Sequence, residues 1–203
     1  MTKMLTLPDI EKNPGIVTEI ITLLTGPRVV LRLLRPDDAS LLGRFFLGLS
    51  AETRRRFAPH PFTREEADTL CSQINYRSTI RLVAATDASG VPEIIAYFIL
   101  IPGFGDTDQK RYEGRGTPLD RDSDCSVAPC VADAFQNQGL GSLLFRKVIQ
   151  LAKRLGRKRA VLIGGVQAAN IRAIHFYTKL GFRQVGTFST GIENYDMILD
   201  LQS

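Results

Sequence analysis

The stretch Val131-Ala132-Asp133-Ala134-Phe135-Gln136-Asn137-Gln138-Gly139-Leu140-Gly141-Ser142 constrains this chain most, because it sets two close glycines where a strand-like run gives way to a leucine-rich helix. Glycine lets backbone N–H groups approach a ligand without a Cβ in the way, and a helix N-terminus favours negative charge. A phosphate-bearing ligand is therefore expected at this helix start. Two other phosphate loops fit poorly: the stretch is not G-x-x-x-x-G-K-[ST], and it lacks the third glycine of G-x-G-x-x-G. The helix that follows carries Leu140, Leu143, Leu144, Val148, Leu151 and Leu155 at helical spacing and is expected to end at Gly156.

The surrounding pattern alternates strands and helices. Val29 to Leu34 reads as a strand, and the amphipathic stretch through Leu41, Leu42, Phe45, Phe46 and Leu49 as a helix. Thr63 and Glu66 form a capping-box signature for a helix over 64–75. Ile80 to Thr86 and Ile94 to Ile101 read as an antiparallel hairpin turned at Asp87-Ala88-Ser89-Gly90. Residues 102–121, with four glycines and two prolines, read as a long loop or irregular hairpin near the ligand. A strand to about Val131, the leucine-rich helix, a strand over 160–163, a helix over 168–180 and two closing strands complete the order. That succession predicts an α/β fold with a mixed sheet, a central βαβ crossover and flanking helices. At 203 residues one domain is expected, over 27–203, with 1–26 as an N-terminal appendage whose Ile16 to Leu24 can form a short helix.

Charge and cysteine content narrow the function. Seven of the fourteen residues from Arg146 to Arg159 are basic and none is acidic, which carries much of the net charge of +5. Such a run reads as a solvated face, a contact to a phosphorylated cofactor, or a nucleic-acid surface. Only Leu, Val, Ile, Ala, Gly and Gln stand between its charges, with no aromatic, so nucleic acid is the weakest of the three. Three cysteines without C-x-x-C spacing and two histidines predict neither a disulfide framework nor a metal site. No apolar run of about 18 residues is present to span a membrane, and the acids and proline near the start do not suit a signal peptide, so the cytoplasm is the expected location.

A second motif follows downstream: Asn170-Ile171-Arg172-Ala173-Ile174-His175-Phe176-Tyr177-Thr178-Lys179-Leu180-Gly181-Phe182. Together with Gln136-x-x-Gly-x-Gly it resembles the GNAT superfamily of acetyl-CoA-dependent N-acetyltransferases, over about 28–201. The resemblance implies a single GNAT-like domain with a mostly antiparallel sheet, and acetyl-CoA as acyl donor. It implies that the backbone of Asn137, Gln138, Gly139, Leu140, Gly141 and Ser142 cradles the CoA pyrophosphate. Pro129, Cys130 and Val131 would pair with the pantetheine amides, although a proline removes one donor from that edge. Asn170 and Tyr177, seven residues apart, share a helix face that would look at the cofactor. Tyr177 is the implied partner of the departing thiolate.

For the general base, relatives often carry Glu at the position of Ser126. Asp124 stands at the same strand parity and is the preferred base, with an ordered water chain as the alternative. His60 lies in a proline-flanked turn and reads as structural; His175 reads as surface or interface. The implied activity is direct acetyl transfer to a primary amine, on a small molecule or a protein lysine or N-terminus. A catalytically weak acyl-CoA-binding sensor is the rival, since loss of the Glu suits it. Acetyl-CoA and an amine acceptor are the expected partners, with a homodimer left open. Arg54-Arg55-Arg56 and the acids Asp106, Asp108 and Glu113 are expected on the acceptor side.

Overall fold

The computed structural model describes residues 4–23, 26–57 and 59–202. The chain begins with α1 (Leu7–Lys12), a 3₁₀ turn at Pro14–Val17 and β1 (Glu19–Thr22). There follow β2 (Arg28–Leu33), α2 (Ala39–Gly48), α3 (Ala51–Arg56), α4 (Arg64–Ser72), β3 (Ile80–Thr86) and β4 (Glu93–Ile101). The second half holds α5 (Asp106–Glu113), β5 (Asp124–Val131), α6 (Leu140–Arg154), β6 (Arg159–Leu162), β7 (Val166–Gln167), α7 (Ile171–Lys179), β8 (Arg183–Ser189) and β9 (Glu193–Asp200).

The described strands form one sheet in the order β1-β2-β3-β4-β5-β6-β9-β7, with β8 also paired to β9. Every neighbouring pair is antiparallel except β5 and β6, which run parallel because α6 carries the chain back between them. This is the expected mixed α/β sheet with a central βαβ crossover. One sheet face packs against α6, whose Leu144, Phe145, Val148 and Ala152 recur at three- and four-residue spacing and are fully buried. The other face packs against α2 and α4 through Leu42, Phe46 and Ala67. Strand β4 is covered on both sides, so its run Ile94 to Leu100 is buried without alternation.

Three local expectations are corrected. The apolar stretch from Ile16 is not a helix but the 3₁₀ turn followed by β1, which pairs with β2 from Glu19↔Leu31 to Thr22↔Arg28; Leu24 lies outside the described residues. Residues 102–121 contain a helix, α5, whose Tyr112 is fully buried. Helix α3 lies where no helix was read. Of residues 1–26, Leu5, Ile10 and Val17 are buried in the same core as α6.

The feature that positions the site is a fork. Strands β5 and β6 pair from Asp124↔Arg159 to Val127↔Leu162, and the Ile163 amide still donates to Val127 O at 3.1 Å. Beyond this the strands part. Strand β5 continues to Val131 held only by β4, while the other arm turns through Gly164 and Gly165, both at positive φ. A Cβ at Gly165 would lie 2.7 Å from both the Phe188 ring and Tyr195 O, so only glycine fits this arm.

Candidate active site

The fork opens a cavity of about 470 Å³. Its walls are the end of β5, the loop and first turn leading into α6, one face of α7, and α3. Pro129, Cys130, Val131, Asn137, Gly139, Gly141, Ser142, Asn170 and Tyr177 all line it.

Anion-binding capacity comes from the start of α6. Its N-cap, Gly139, has φ 78° and offers no side-chain cap, and no acid stands in the first turn. The amides of that turn have no partner within the helix. Helices α1, α3, α4 and α7 are instead capped by Thr6, Ser50, Thr63 and Asn170. Asn137 also adopts positive φ, 61°, which an asparagine tolerates better than most residues. The loop therefore curls with its amides ungated by side chains. Two residues of the expected cradle keep their side chains elsewhere: Leu140 is in the core, and Gln138 Nε2 donates to Ala134 O at 2.7 Å.

The edge of β5 can be read group by group. Backbone polar groups of alternate residues point to opposite neighbours. Ala132 N donates to Ile95 O on the β4 side, whereas Val127 O accepts on the β6 side. Pro129 and Val131 share the parity of Val127 and so face the fork. The missing N–H of Pro129 thus costs the β4 ladder nothing. Gln136 Nε2 donates to Val131 O at 2.8 Å. What remains on this edge is one acceptor, Pro129 O, and one donor, Val131 N.

Tyr177 is buried against Phe176, Phe182 and Phe145, with ring centroids at 5.2, 5.4 and 6.3 Å. Burial, and then the nearby Cys130 thiol, push its phenol well above the ordinary value of 10, so the hydroxyl keeps its proton throughout the working range. Burial likewise pushes the Cys130 thiol up, which keeps it un-ionised and a poor nucleophile. Asn170 Oδ1 accepts from Ala173 N at 3.2 Å, capping α7, and from Arg56 Nη1 at 3.2 Å.

The proposed base is not brought to the cavity. Asp124 has no exposed surface; Arg159 grips it at 2.9 and 2.5 Å and Asp120 N donates to it at 2.8 Å. It fastens the start of β5 to β6, the far end of the strand from the fork. Ser126 is also absent from the walls, buried with its Oγ unpaired. Among the described residues that line the cavity, none is Asp or Glu. His60 sits outside it, packed among Phe46, Phe57 and Phe62, with Nδ1 2.8 Å from Pro61 O and Nε2 3.2 Å from Tyr97 Oη. Burial lowers its pKa. Asp106 and Asp108 pair with Arg121 and Arg111 and are likewise not among the lining residues.

Sequence reasoning missed most of two groups of wall residues. Thr53 and Phe57 arrive on α3 and its C-cap, an element without an apolar stripe to betray it; Arg56, expected on the acceptor side, lines the wall, whereas Arg54 and Arg55 are not among the lining residues. Arg172, His175 and Lys179 line the cavity from α7 but stand about half a turn around the helix from Asn170 and Tyr177, so the face those two share gave no signal for them. The basic run on α6 goes elsewhere. Lys147 pairs with Glu19, Arg157 donates to Asp122 O and Arg159 holds Asp124, and none of the run lines the cavity.

Comparison with known proteins places this geometry. The model of the acetyltransferase (GNAT) family matches residues 51–182. The GNAT domain of S. lividans PAT superposes with a TM-score of 0.71 at 22% identity, covering 92% of this chain and 98% of that one. Aminoglycoside acetyltransferase AAC(6')-Ib, solved in complex with coenzyme A, gives 0.64 at 20% identity, over 86% and 95% of the two chains. The ribosomal-protein-S5-alanine acetyltransferase from Vibrio fischeri gives 0.66 at 12%, over 86% and 94%. At these identities the structures share the fold.

Proposed function

We propose, from the premise that this chain belongs to the GNAT acetyltransferase family, that it transfers the acetyl group of acetyl-CoA directly to a primary amine. The acceptor class is a small-molecule amine or a protein lysine or N-terminus. The observation that carries the reading is the fork itself: an uncapped, acid-free helix N-terminus at one end of a cavity and the buried phenol of Tyr177 inside it. The amides from Asn137 to Ser142 hold the pyrophosphate, and Pro129 O and Val131 N take one pantetheine amide pair. Asn170 lines the same cavity, and its Nδ2, without a partner among the described residues, is available to the same substrate.

The amine nitrogen attacks the thioester carbonyl, the carbon–sulfur bond breaks, and the amine loses one proton as the sulfur gains one. The protonated phenol of Tyr177 donates a hydrogen bond to the sulfur as charge builds there. Among the described residues the cavity wall offers no carboxylate, so the amine must arrive neutral and surrender its one departing proton to water, while the sulfur takes one up in turn. Cys130, un-ionised, supports direct transfer over an acyl-enzyme. The same lack of a carboxylate supports a second reading, an acyl-CoA-binding sensor with little turnover.

An acceptor screen following free CoA separates the two. With an amine that reacts, kcat/KM should rise with pH along the acceptor's own pKa, and two acceptors of different basicity should shift the limb accordingly. Tyr177→Phe should lower kcat and kcat/KM together by about 10²-fold or more. Absence of turnover with every amine, alongside intact acetyl-CoA binding, would favour the sensor.

A further inference from the structure

The face of α7 that lines the cavity carries more positive charge than a diphosphate needs. Arg172, His175 and Lys179 are all exposed and all on the wall, at spacings of three and four residues. None has an ion-pair or hydrogen-bond partner among the described residues, whereas Arg56 on the same wall is tied to Glu52 at 2.6 Å and to Asn170. From Arg172 to Lys179 the row runs about 10.5 Å along the helix. Phe176, in the middle of the row, packs next to Gly141, where an added Cβ would lie 3.7 Å from its ring. The row therefore flanks the start of α6, whose amides already suffice for one diphosphate. Among the described residues no carboxylate lines the wall to neutralise it.

We propose that Arg172, His175 and Lys179 seat a second phosphate, the 3′-phosphomonoester of the coenzyme, and that this row makes the chain select CoA over 3′-dephospho-CoA. The assignment rests on the acetyl-CoA reading above. Guanidinium and ammonium groups free of internal partners meet a dianion without first breaking a bond. Lining an open cavity, they also raise the local concentration of an anionic ligand.

Calorimetric titration with CoA and with 3′-dephospho-CoA tests it, on the wild type and on the double variant Arg172→Gln, Lys179→Gln. Both positions are exposed, and a far-UV spectrum checks the fold. The wild type should bind CoA at least about tenfold more tightly, the worth of one charge-assisted hydrogen bond. In the double variant the two affinities should converge to within about twofold, through loss of CoA binding and not of dephospho-CoA binding. Lys179→Glu should disfavour CoA more than its dephospho form. Equal affinities in the wild type, or a loss shared by both ligands in the variants, would overturn the assignment while leaving the acetyl-CoA reading intact. Failure of the wild type to bind either ligand would remove both.

Discussion

Asp124 shares a face of β5 with Ser126 and Cys130, as strand parity requires, yet six residues of strand, about 20 Å, separate it from Cys130 at the fork. Parity assigns a side chain to a face and says nothing of its depth along the strand. That depth was set by Arg159, which faces Asp124 across the parallel pair and was invisible as a partner while it read as part of a basic run. Tyr177 was legible for the opposite reason: its motif fixes both its helix face and its distance from the cap. If Asp124 only fastens two strands, Asp124→Asn should cost about 1–3 kcal/mol of stability by weakening charged hydrogen bonds in a buried setting. Thermal melting reads that loss. The kcat at saturating substrates and the pH–rate profile should stay within about twofold, and a displaced alkaline limb would return the residue to the chemistry.

Helix α3 shows why an element can escape a sequence reading and still frame a site. Its sequence, Ala-Glu-Thr-Arg-Arg-Arg, buries no side chain, so no apolar period marks it. It is held by its ends. Asp133, just before the glycine loop, accepts from Ser50 N at 2.9 Å, Ser50 Oγ at 2.8 Å and Thr53 Oγ1 at 2.7 Å. At the other end Arg56 reaches Asn170, and Gln167 Nε2 donates to Arg55 O at 3.2 Å. One short helix thus ties the loop side of the fork to the α7 side. Partial burial works to raise the pKa of Asp133, and the hydrogen bonds from Ser50 and Thr53 override it, holding the carboxyl below its ordinary value. Asp133→Ala should free the N-terminal end of α3. Trypsin, reading the exposed Arg54 and Arg55, should then cut there roughly tenfold faster, because lost charged hydrogen bonds lower the cost of local opening. The global melting temperature should move little, and an unchanged cleavage rate would mean that Gln167 and Asn170 alone hold the helix.

Across the whole molecule, the βαβ crossover was legible because it depends on a long amphipathic helix and its two flanking strands, all strongly patterned. The start of the chain was not. Its apolar residues are interrupted by Pro8, Pro14 and Gly15, so no period emerges, and β1 is an edge strand with only alternate residues half-buried. Tertiary contact supplies what local pattern lacks: Ile10 has no exposed surface, and Leu5 N donates to Arg154 O at 2.8 Å, joining the segment to the end of α6. The boundary at residue 26 therefore becomes a question of energy. In a loosely attached appendage, truncating one isoleucine would alter global stability by less than about 0.5 kcal/mol, as surface substitutions do. In an integral part of the core, Ile10→Ala removes buried methyl groups and leaves a cavity, a change that costs about 2–5 kcal/mol. For a domain whose total stability is of the order of 5–15 kcal/mol, the second outcome is a large drop in the urea midpoint. Denaturant titration at constant m-value distinguishes the two, and the burial of Ile10 predicts the larger loss.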